Sequence, residues 1–264
     1  MERNKVRIEK REGIAEIVME CGSNLNAIDL QMAQELLEAL QVCEDDQEVK
    51  VIVLRSAIKA FSAGGDLGYI YGVLKEGGEI DFHDLITCVG KLAVKMKSMS
   101  KLIITSIDGP AAGAGAVIAI AGDVVILSEK AQLIQAFTGV GLVPDTGGAY
   151  FLPRLVGSAR AMRLFLTGES VSARQAFDWG IATEICSREE LEAVTRKWAV
   201  KLSRGPLAAY ANLKKQMYVS VYKDLEAFLE NGEGPAQTVA SLTDDFKEGV
   251  TAFIEKRKPV FKGK

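Results

Sequence analysis

Two loops built almost entirely from residues with small side chains each follow a short apolar segment typical of a buried strand. The first loop, Phe61–Leu67, comes after Val51–Leu54, and the second, Asp108–Gly115, comes after Leu102–Ile107. A backbone this bare approaches a neighbour or a ligand closely and offers its own N–H groups. Where such a loop opens a helix, the helix dipole adds to those donors. Two N–H groups aimed at one point would form an oxyanion hole for chemistry at an activated carbonyl.

Strands alternate with helices along the first two thirds of the chain. The pattern predicts a hairpin from Val6–Lys10 and Ile14–Met19, and later strands at Val124–Leu127, Gln132–Gln135 and Ile181–Ile185. Predicted helices cover 30–42, 66–74, 83–97, 113–121, 149–156, 158–166, 189–203, 206–220, 222–230 and 242–257, with a break at Glu230–Pro235. This order predicts an α/β core over residues 1–188 and a helical C-terminal region over residues 189–264.

Composition excludes several classes of function. The net charge is −3, and no basic stripe interleaved with aromatic residues is present, so nucleic acid is not an expected partner. The longest apolar stretch, Ala111–Gly122, is shorter than the ~20 residues of a membrane span. Four cysteines without CxxC spacing and the single histidine, His83, argue against a metal site and against a Ser–His or Cys–His relay. Reduced thiols and a start without a signal-peptide pattern predict a cytoplasmic protein.

Five motifs, in order along nearly the whole chain, resemble the crotonase (enoyl-CoA hydratase/isomerase) superfamily. They are Ala63–Leu67, Asp108–Gly115 with the following Gly122–Asp123, Gly141–Gly148, Leu166–Gly168 and Phe253–Lys258. The resemblance implies an α/β spiral of ββα units with a helical trimerisation region, packed as a homotrimer or a dimer of trimers. It also implies an acyl-CoA substrate and no separate cofactor, since coenzyme A is part of the substrate.

The same resemblance assigns the oxyanion hole to two backbone N–H groups. Carried over by position, these belong to Gly65 and Ala114. The charge that they would stabilise is the enolate of a thioester.

The hydratases of the superfamily also carry two glutamates that handle water. Their positions correspond to Val117 and Phe137 in this chain. Neither side chain can move a proton, so these residues argue against water addition by a pair of glutamates.

Asp145 is the remaining candidate for proton transfer. An Asp ahead of Thr146, Gly147 and a helix is also what helix capping predicts. The stretch Ala136–Gly148 resembles most the 1,2-epoxyphenylacetyl-CoA isomerases, and the dienoyl-CoA isomerases also place an aspartate base at this position. Among apolar neighbours an Asp would have a raised pKa, which suits a base that takes a proton and returns it. The resulting hypothesis is an enoyl-CoA isomerase that shifts a double bond with Asp145 as the proton shuttle.

Three alternatives stay open at this point. One is a hydratase or related lyase with an unrecognised water-activating residue, and another is a CoA-thioester-binding protein without catalysis. The third is nucleophilic attack by Asp145, as in the 4-chlorobenzoyl-CoA dehalogenases. That reaction also relies on a tryptophan where this chain has Phe137, and on a histidine at a position several residues after His83. His83 itself is interpreted as a surface residue.

The remaining site predictions concern binding of substrate and coenzyme A. Phe253 and Lys256 match family positions that meet the adenine or the 3′-phosphate from a neighbouring subunit, although a solvated basic tail explains the same residues. The predicted substrate-lining residues are Ala63, Asp66, Leu67, Gly68 and Phe137.

Overall fold

The larger sheet has six strands, and these strands account for most of the short apolar segments in the first two thirds of the chain. The computed structural model describes residues 4–264. The strands are β1 (Val6–Arg11), β2 (Ile14–Met19), β3 (Val51–Ser56), β4 (Leu102–Ile107), β6 (Val124–Ser128) and β9 (Glu184–Cys186), in the order β1-β2-β3-β4-β6-β9. β1 and β2 form an antiparallel hairpin, and every other pair is parallel.

A second sheet of three strands lies beside the first. It consists of β5 (Pro110–Ala112), β7 (Gln132–Ile134) and β8 (Ser170–Ser172), with β5 and β7 parallel and β7 and β8 antiparallel. Consecutive strands therefore alternate between the sheets, as β4 with β5 and β6 with β7 do. This is the spiral of ββα units that the resemblance implied.

Twelve helices surround the sheets in the described part of the chain. They are α1 (Leu30–Asp45), α2 (Leu67–Lys75), α3 (His83–Ser98), α4 (Gly113–Ile120), α5 (Gly148–Val156), α6 (Ser158–Thr167), α7 (Ala173–Asp178), α8 (Leu191–Ser203), α9 (Leu207–Val221), α10 (Leu225–Phe228), α11 (Gly234–Ser241) and α12 (Asp244–Ile254). A π-helical turn, Leu229–Glu233, joins α10 to α11. No helix within residues 4–264 is long and apolar enough to cross a bilayer.

Both faces of the central strands of the larger sheet are covered, which is why β3, β4 and β6 are mostly apolar. On β3, Ile52 and Leu54 join the main core under α1, α3 and α4. Val51 and Val53 point to the other face and join a smaller cluster completed by Leu191, Ala199 and Leu202 of α8.

The sequence predictions differ from the structure at five places. The short strands β5 and β8 and the helix α7 were not predicted. β9 begins later than the predicted Ile181–Ile185. The predicted break at Glu230–Pro235 is wrong, because the π-helical turn and α11 occupy it. Pro235 falls in the first turn of α11, where a missing N–H costs no helical hydrogen bond.

Every element after β9 in the described chain is helical. The division into units of residues 1–188 and 189–264 stays a prediction.

Candidate functional site

The two small-residue loops are packed directly against each other. Ser62 and Ala111 form a parallel bridge, and the Ala112 N–H donates to the Ser62 carbonyl at 2.9 Å. Gly64 has φ +85°, and a Cβ added there would lie 2.8 Å from the Ala112 carbonyl oxygen. A Cβ on Gly115 would lie 2.4 Å from Ser62 Cβ. Glycine at these two positions is therefore what allows the loops to meet.

The two predicted oxyanion donors lie in these loops. Ala114 is the second residue of α4, where a backbone N–H has no carbonyl of its own helix to bond. Gly65 is exposed, and a Cβ added to it would have no neighbour within 4 Å. Within residues 4–264 the Gly65 N–H donates no hydrogen bond. The two loops that pack together thus each contain a backbone N–H that is left without a partner within its own segment, at Gly65 and at Ala114.

Asp145 lies in a loop whose backbone is held in an unusual conformation. Thr146 has φ +57° and Gly147 has φ +81°, and α5 begins at the next residue. A β-branched residue with positive φ is strained, and such strain persists where the surrounding structure holds it. Thr146 is buried, and its hydroxyl donates to Asp145 Oδ1 at 2.9 Å.

The carboxylate of Asp145 does not cap α5. The residue at the N-cap is Gly147, and no side-chain capping bond is made there. The alternative that Asp145 is a helix cap is therefore wrong, and its side chain is left for another role.

Burial raises the pKa of Asp145 to about 6, while hydrogen bonds from Thr146 and Gln237 act in the opposite direction. The residue keeps a partly exposed surface, but protein atoms enclose its carboxyl group. A carboxyl with this pKa is deprotonated at neutral pH and still basic enough to accept a proton.

Two residues of the C-terminal region complete this loop, and sequence reasoning missed both. The Gln237 amide donates to Asp145 Oδ2 at 3.4 Å, and its oxygen accepts from the Val143 N–H at 3.0 Å. Both oxygens of Glu233 accept from the Gly147 N–H at 3.0 Å. Burial, and then the charge of Asp145, raises the pKa of Glu233 to about 8. The available signal was their spacing of one helical turn, which places both on one face.

Apolar side chains occupy the two positions of the missing glutamates. Val117 is fully buried in α4, and its Cγ2 would lie 3.0 Å from a Cβ on Gly148. The Phe137 ring would lie 3.7 Å from a Cβ on Gly113. One helix, α4, therefore carries Ala114 and lies against both the Phe137 ring and the start of α5.

The other predicted binding residues have mixed environments. Asp66 caps α2 by accepting from the Tyr69 N–H at 3.0 Å, and it also accepts from Asn24. Ala63 is exposed and Leu67 is partly buried, both within the first loop, and Gly68 is exposed directly after it. Phe253 and Lys256 are exposed at and just after the end of α12, and neither shares a hydrogen bond or salt bridge with the loops or Asp145 in the described chain. His83 is exposed at the start of α3.

A cavity of about 1230 Å³ lies between α1, α3 and the segment from α10 to α11. Glu233 is one of its lining residues, whereas Asp145 is not. Among residues 4–264 no group of three His, Cys, Asp or Glu side chains is placed to hold a metal ion.

Comparison with known proteins agrees with the resemblance found in the motifs. The sequence pattern described as Enoyl-CoA hydratase/isomerase matches residues 9–264. The chain is 34% identical over 252 residues to the trans-2-decenoyl-[acyl-carrier-protein] isomerase of Streptococcus mutans, covering 96% of this chain and 95% of that protein. It is 33% identical over 254 residues to the 1,2-epoxyphenylacetyl-CoA isomerase of Escherichia coli, covering 96% of each.

A solved structure gives the same result. The crystal structure of an enoyl-CoA hydratase from Mycobacterium avium subsp. paratuberculosis K-10 superimposes with a TM-score of 0.88, at 29% identity and 98% coverage of both chains. Similar proteins thus include both isomerases and hydratases.

Proposed function

The chain belongs to the enoyl-CoA hydratase/isomerase family, and we propose that within this family it is an isomerase that shifts the double bond of an enoyl-CoA thioester. The observation that carries the proposal is the enclosed carboxyl of Asp145, with its pKa raised to about 6, in a site whose two glutamate positions hold Val117 and Phe137. This arrangement provides a desolvated carboxylate that can accept a proton where the usual glutamates are absent.

In the proposed mechanism the Gly65 and Ala114 N–H groups donate to the thioester oxygen of the substrate. This polarises the carbonyl and stabilises negative charge as it develops there. Asp145 removes a proton from a carbon that the thioester acidifies, and the C–H electrons form the dienolate. The same carboxyl then returns the proton to another carbon of the dienolate, which regenerates the thioester carbonyl and the Asp145 carboxylate. No water is consumed, and atoms and charge balance.

Phe137 and Val117 support this assignment by what they exclude. Their apolar side chains offer no group to orient or deprotonate a water molecule. A dienolate formed beside them is therefore protected from solvent on that side.

Hydration is the second candidate, because the site contains an acid that the family motifs did not reveal. Glu233 bonds to Gly147, two residues from Asp145, and could activate water where the usual glutamates are absent. A thioester-binding protein without catalysis is the third possible outcome.

Binding of coenzyme A and assembly complete the proposal. We propose that Phe253 and Lys256 contact the nucleotide end of coenzyme A of a neighbouring subunit in a trimer or a dimer of trimers. Exposed apolar side chains on the C-terminal helices support such an assembly: Leu213, Met217, Val219, Val239 and Leu242. The proposed location is the cytoplasm, supported by the four cysteines, which are all unpaired.

Incubation with 3-enoyl-CoA and with 2-enoyl-CoA, followed by mass spectrometry and chromatography, separates the three candidates. Migration of the double bond, with no change in mass, is the expected result. Formation of 3-hydroxyacyl-CoA would establish hydration instead. Saturable binding of both thioesters without any product would establish a binding protein.

A further inference from the structure

Glu233 is a buried carboxyl without a cation. It is 3% exposed, and its hydrogen bonds come from the Gly147 N–H, which both of its oxygens share. Within residues 4–264 it forms no salt bridge with any Lys, Arg or His. A carboxylate enclosed in this way is costly unless it is paired or protonated.

The local backbone explains how Glu233 reaches the loop of Asp145. It is the last residue of the π-helical turn, and Gln237 follows one turn later on α11. Single π-helical turns redirect the side chains that follow them and are frequent at functional sites. Glu233 and Gln237 thereby bond to opposite ends of the same loop, at Gly147 and at Val143 with Asp145.

From this geometry we infer that Glu233 is a positioning residue that works in its uncharged form. It holds the N-terminus of α5 through Gly147, and so fixes the loop of Asp145 without adding a second negative charge. Two carboxyl groups that share one enclosed site do not both ionise readily. The inference rests on the proposed function of Asp145, because an uncharged Glu233 helps the reaction by leaving Asp145 as the ionised carboxyl of the two.

A second charge at this place would oppose the reaction. The proposed step develops an anion on the substrate, and a nearby carboxylate destabilises that anion by repulsion. Loss of the proton from Glu233 is therefore expected to slow the reaction. Burial and the charge of Asp145 set the pKa of Glu233 at about 8, which places this loss just above neutral pH.

Other titratable groups surround Glu233 across the cavity that it lines. They are Glu38 on α1, His83, Lys91 and Lys95 on α3, and Glu226 and Glu230 on the adjoining segment. Lys95 already bonds to Gln41 and Glu44 of α1. Asp145 is the one charged side chain among the groups that shift the pKa of Glu233.

The substitution Glu233→Gln tests the kinetic consequence. The Gln side chain keeps an oxygen to accept from Gly147 and stays neutral at every pH. Wild-type kcat should fall above pH 8, to about a tenth of its maximum at pH 9, whereas Glu233→Gln should keep its activity there. The control is Glu230→Gln, the same change at an exposed residue of the same turn, which should behave as wild type. An alkaline fall that persists unchanged in Glu233→Gln overturns the inference.

A carboxyl ¹³C NMR titration tests the same inference without turnover. Wild-type protein should show Asp145 and Glu233 titrating in separate steps, near pH 6 and pH 8. Asp145→Asn should move the Glu233 step to lower pH, because the charge that raises its pKa is gone. Because the titration uses no substrate, its result tests Glu233 even if the protein catalyses a reaction other than isomerisation. A Glu233 step near pH 4.5 in the wild type, or one that Asp145→Asn leaves in place, contradicts the inference.

Discussion

The side-chain amide of Gln237 links the loop of Asp145 to the C-terminal helices. Its nitrogen lies 3.4 Å from Asp145 Oδ2 and its oxygen lies 3.0 Å from the Val143 nitrogen. Gln237 is 1% exposed, so water does not replace these bonds when they are lost. The candidate base is thus oriented by a residue 92 positions later in the chain.

The substitution Gln237→Leu should therefore affect both stability and the pH profile. It leaves the Val143 N–H without its partner, which costs about 1–3 kcal/mol in the free energy of unfolding. The bond from Gln237 lowers the pKa of Asp145, so its loss should move the acid limb of kcat to higher pH. Urea unfolding and pH–rate profiles measure the two effects. The adjacent exposed Thr238→Val is the control, and an acid limb that does not move in Gln237→Leu would contradict the assigned bond.

Replacing Asp145 by Asn should abolish proton transfer while the fold is kept. We expect kcat to fall by about 10²–10⁴-fold, the range that a positioned general base contributes. Binding of a CoA thioester, measured by calorimetry, should change little because the oxyanion loops are untouched. The matched control is Asp244→Asn, the same change at an exposed residue that begins α12, and it should keep wild-type kcat. Near-wild-type kcat in Asp145→Asn would exclude Asp145 as the base.

The pH dependence of stability gives a separate test of the same group. The folded pKa of Asp145 is above its ordinary value of 3.8, so the folded state binds the proton more tightly than the unfolded state. Its contribution to stability is therefore fully present below pH 3.8 and is lost as pH rises through about 6.

In Asp145→Asn the side chain cannot ionise, so the variant does not lose this stability as pH rises. The stability of the variant relative to wild type should be greater at pH 8 than at pH 4, by ~2 kcal/mol. Urea denaturation of both proteins at the two pH values measures it. The difference between the pH values cancels any constant effect of the lost hydrogen bonds. An equal effect of the substitution at both pH values would show that the carboxyl is not desolvated.

Close contact between the two small-residue loops predicts the effect of a single methyl group. In Gly64→Ala the added Cβ meets the Ala112 carbonyl oxygen at 2.8 Å, and φ is +85°. We expect a loss of about 1–3 kcal/mol in stability and reduced kcat, because the donors of Gly65 and Ala114 are displaced. Gly72→Ala, where an added Cβ meets nothing within 4 Å, should be neutral or slightly stabilising. Calorimetric unfolding that ranks the two variants in the opposite order would refute the packing argument.

Local sequence patterns were sufficient for much of the fold and for half of the site. Continuous apolar runs such as Leu102–Ile107 identified buried strands, and the small residues of the two loops indicated a backbone that a ligand can approach closely; the packing of the loops against each other is a finding of the structure. Val117 and Phe137 also indicated, by their chemistry, which reaction the site is not equipped for. The strands needed only neighbours along the chain, whereas the assignment of Val117 and Phe137 to the glutamate positions rests on the resemblance of the motifs to the crotonase superfamily.

The other half depends on contacts that no local pattern carries. Glu233 and Gln237 meet the loop of Asp145 from 86 and 92 positions away. Gly232, Gly234 and Pro235 made their segment resemble a break between helices, whereas tertiary packing holds it as a π-helical turn and a helix. Whether Asp145 would cap α5 was likewise undecidable, because Glu233 occupies the position at Gly147 that a capping side chain would need.

The most direct test of the central claim follows a 3-enoyl-CoA in H₂¹⁸O by mass spectrometry. A single-carboxylate shuttle moves a proton between carbons, so the product should have the mass of the substrate and contain no ¹⁸O. The 2-enoyl isomer should accumulate with the wild-type protein and should not accumulate with Asp145→Asn. An unchanged 3-enoyl-CoA, together with a 2-enoyl-CoA that gains one molecule of labelled water in a parallel incubation, would contradict the account and establish hydration.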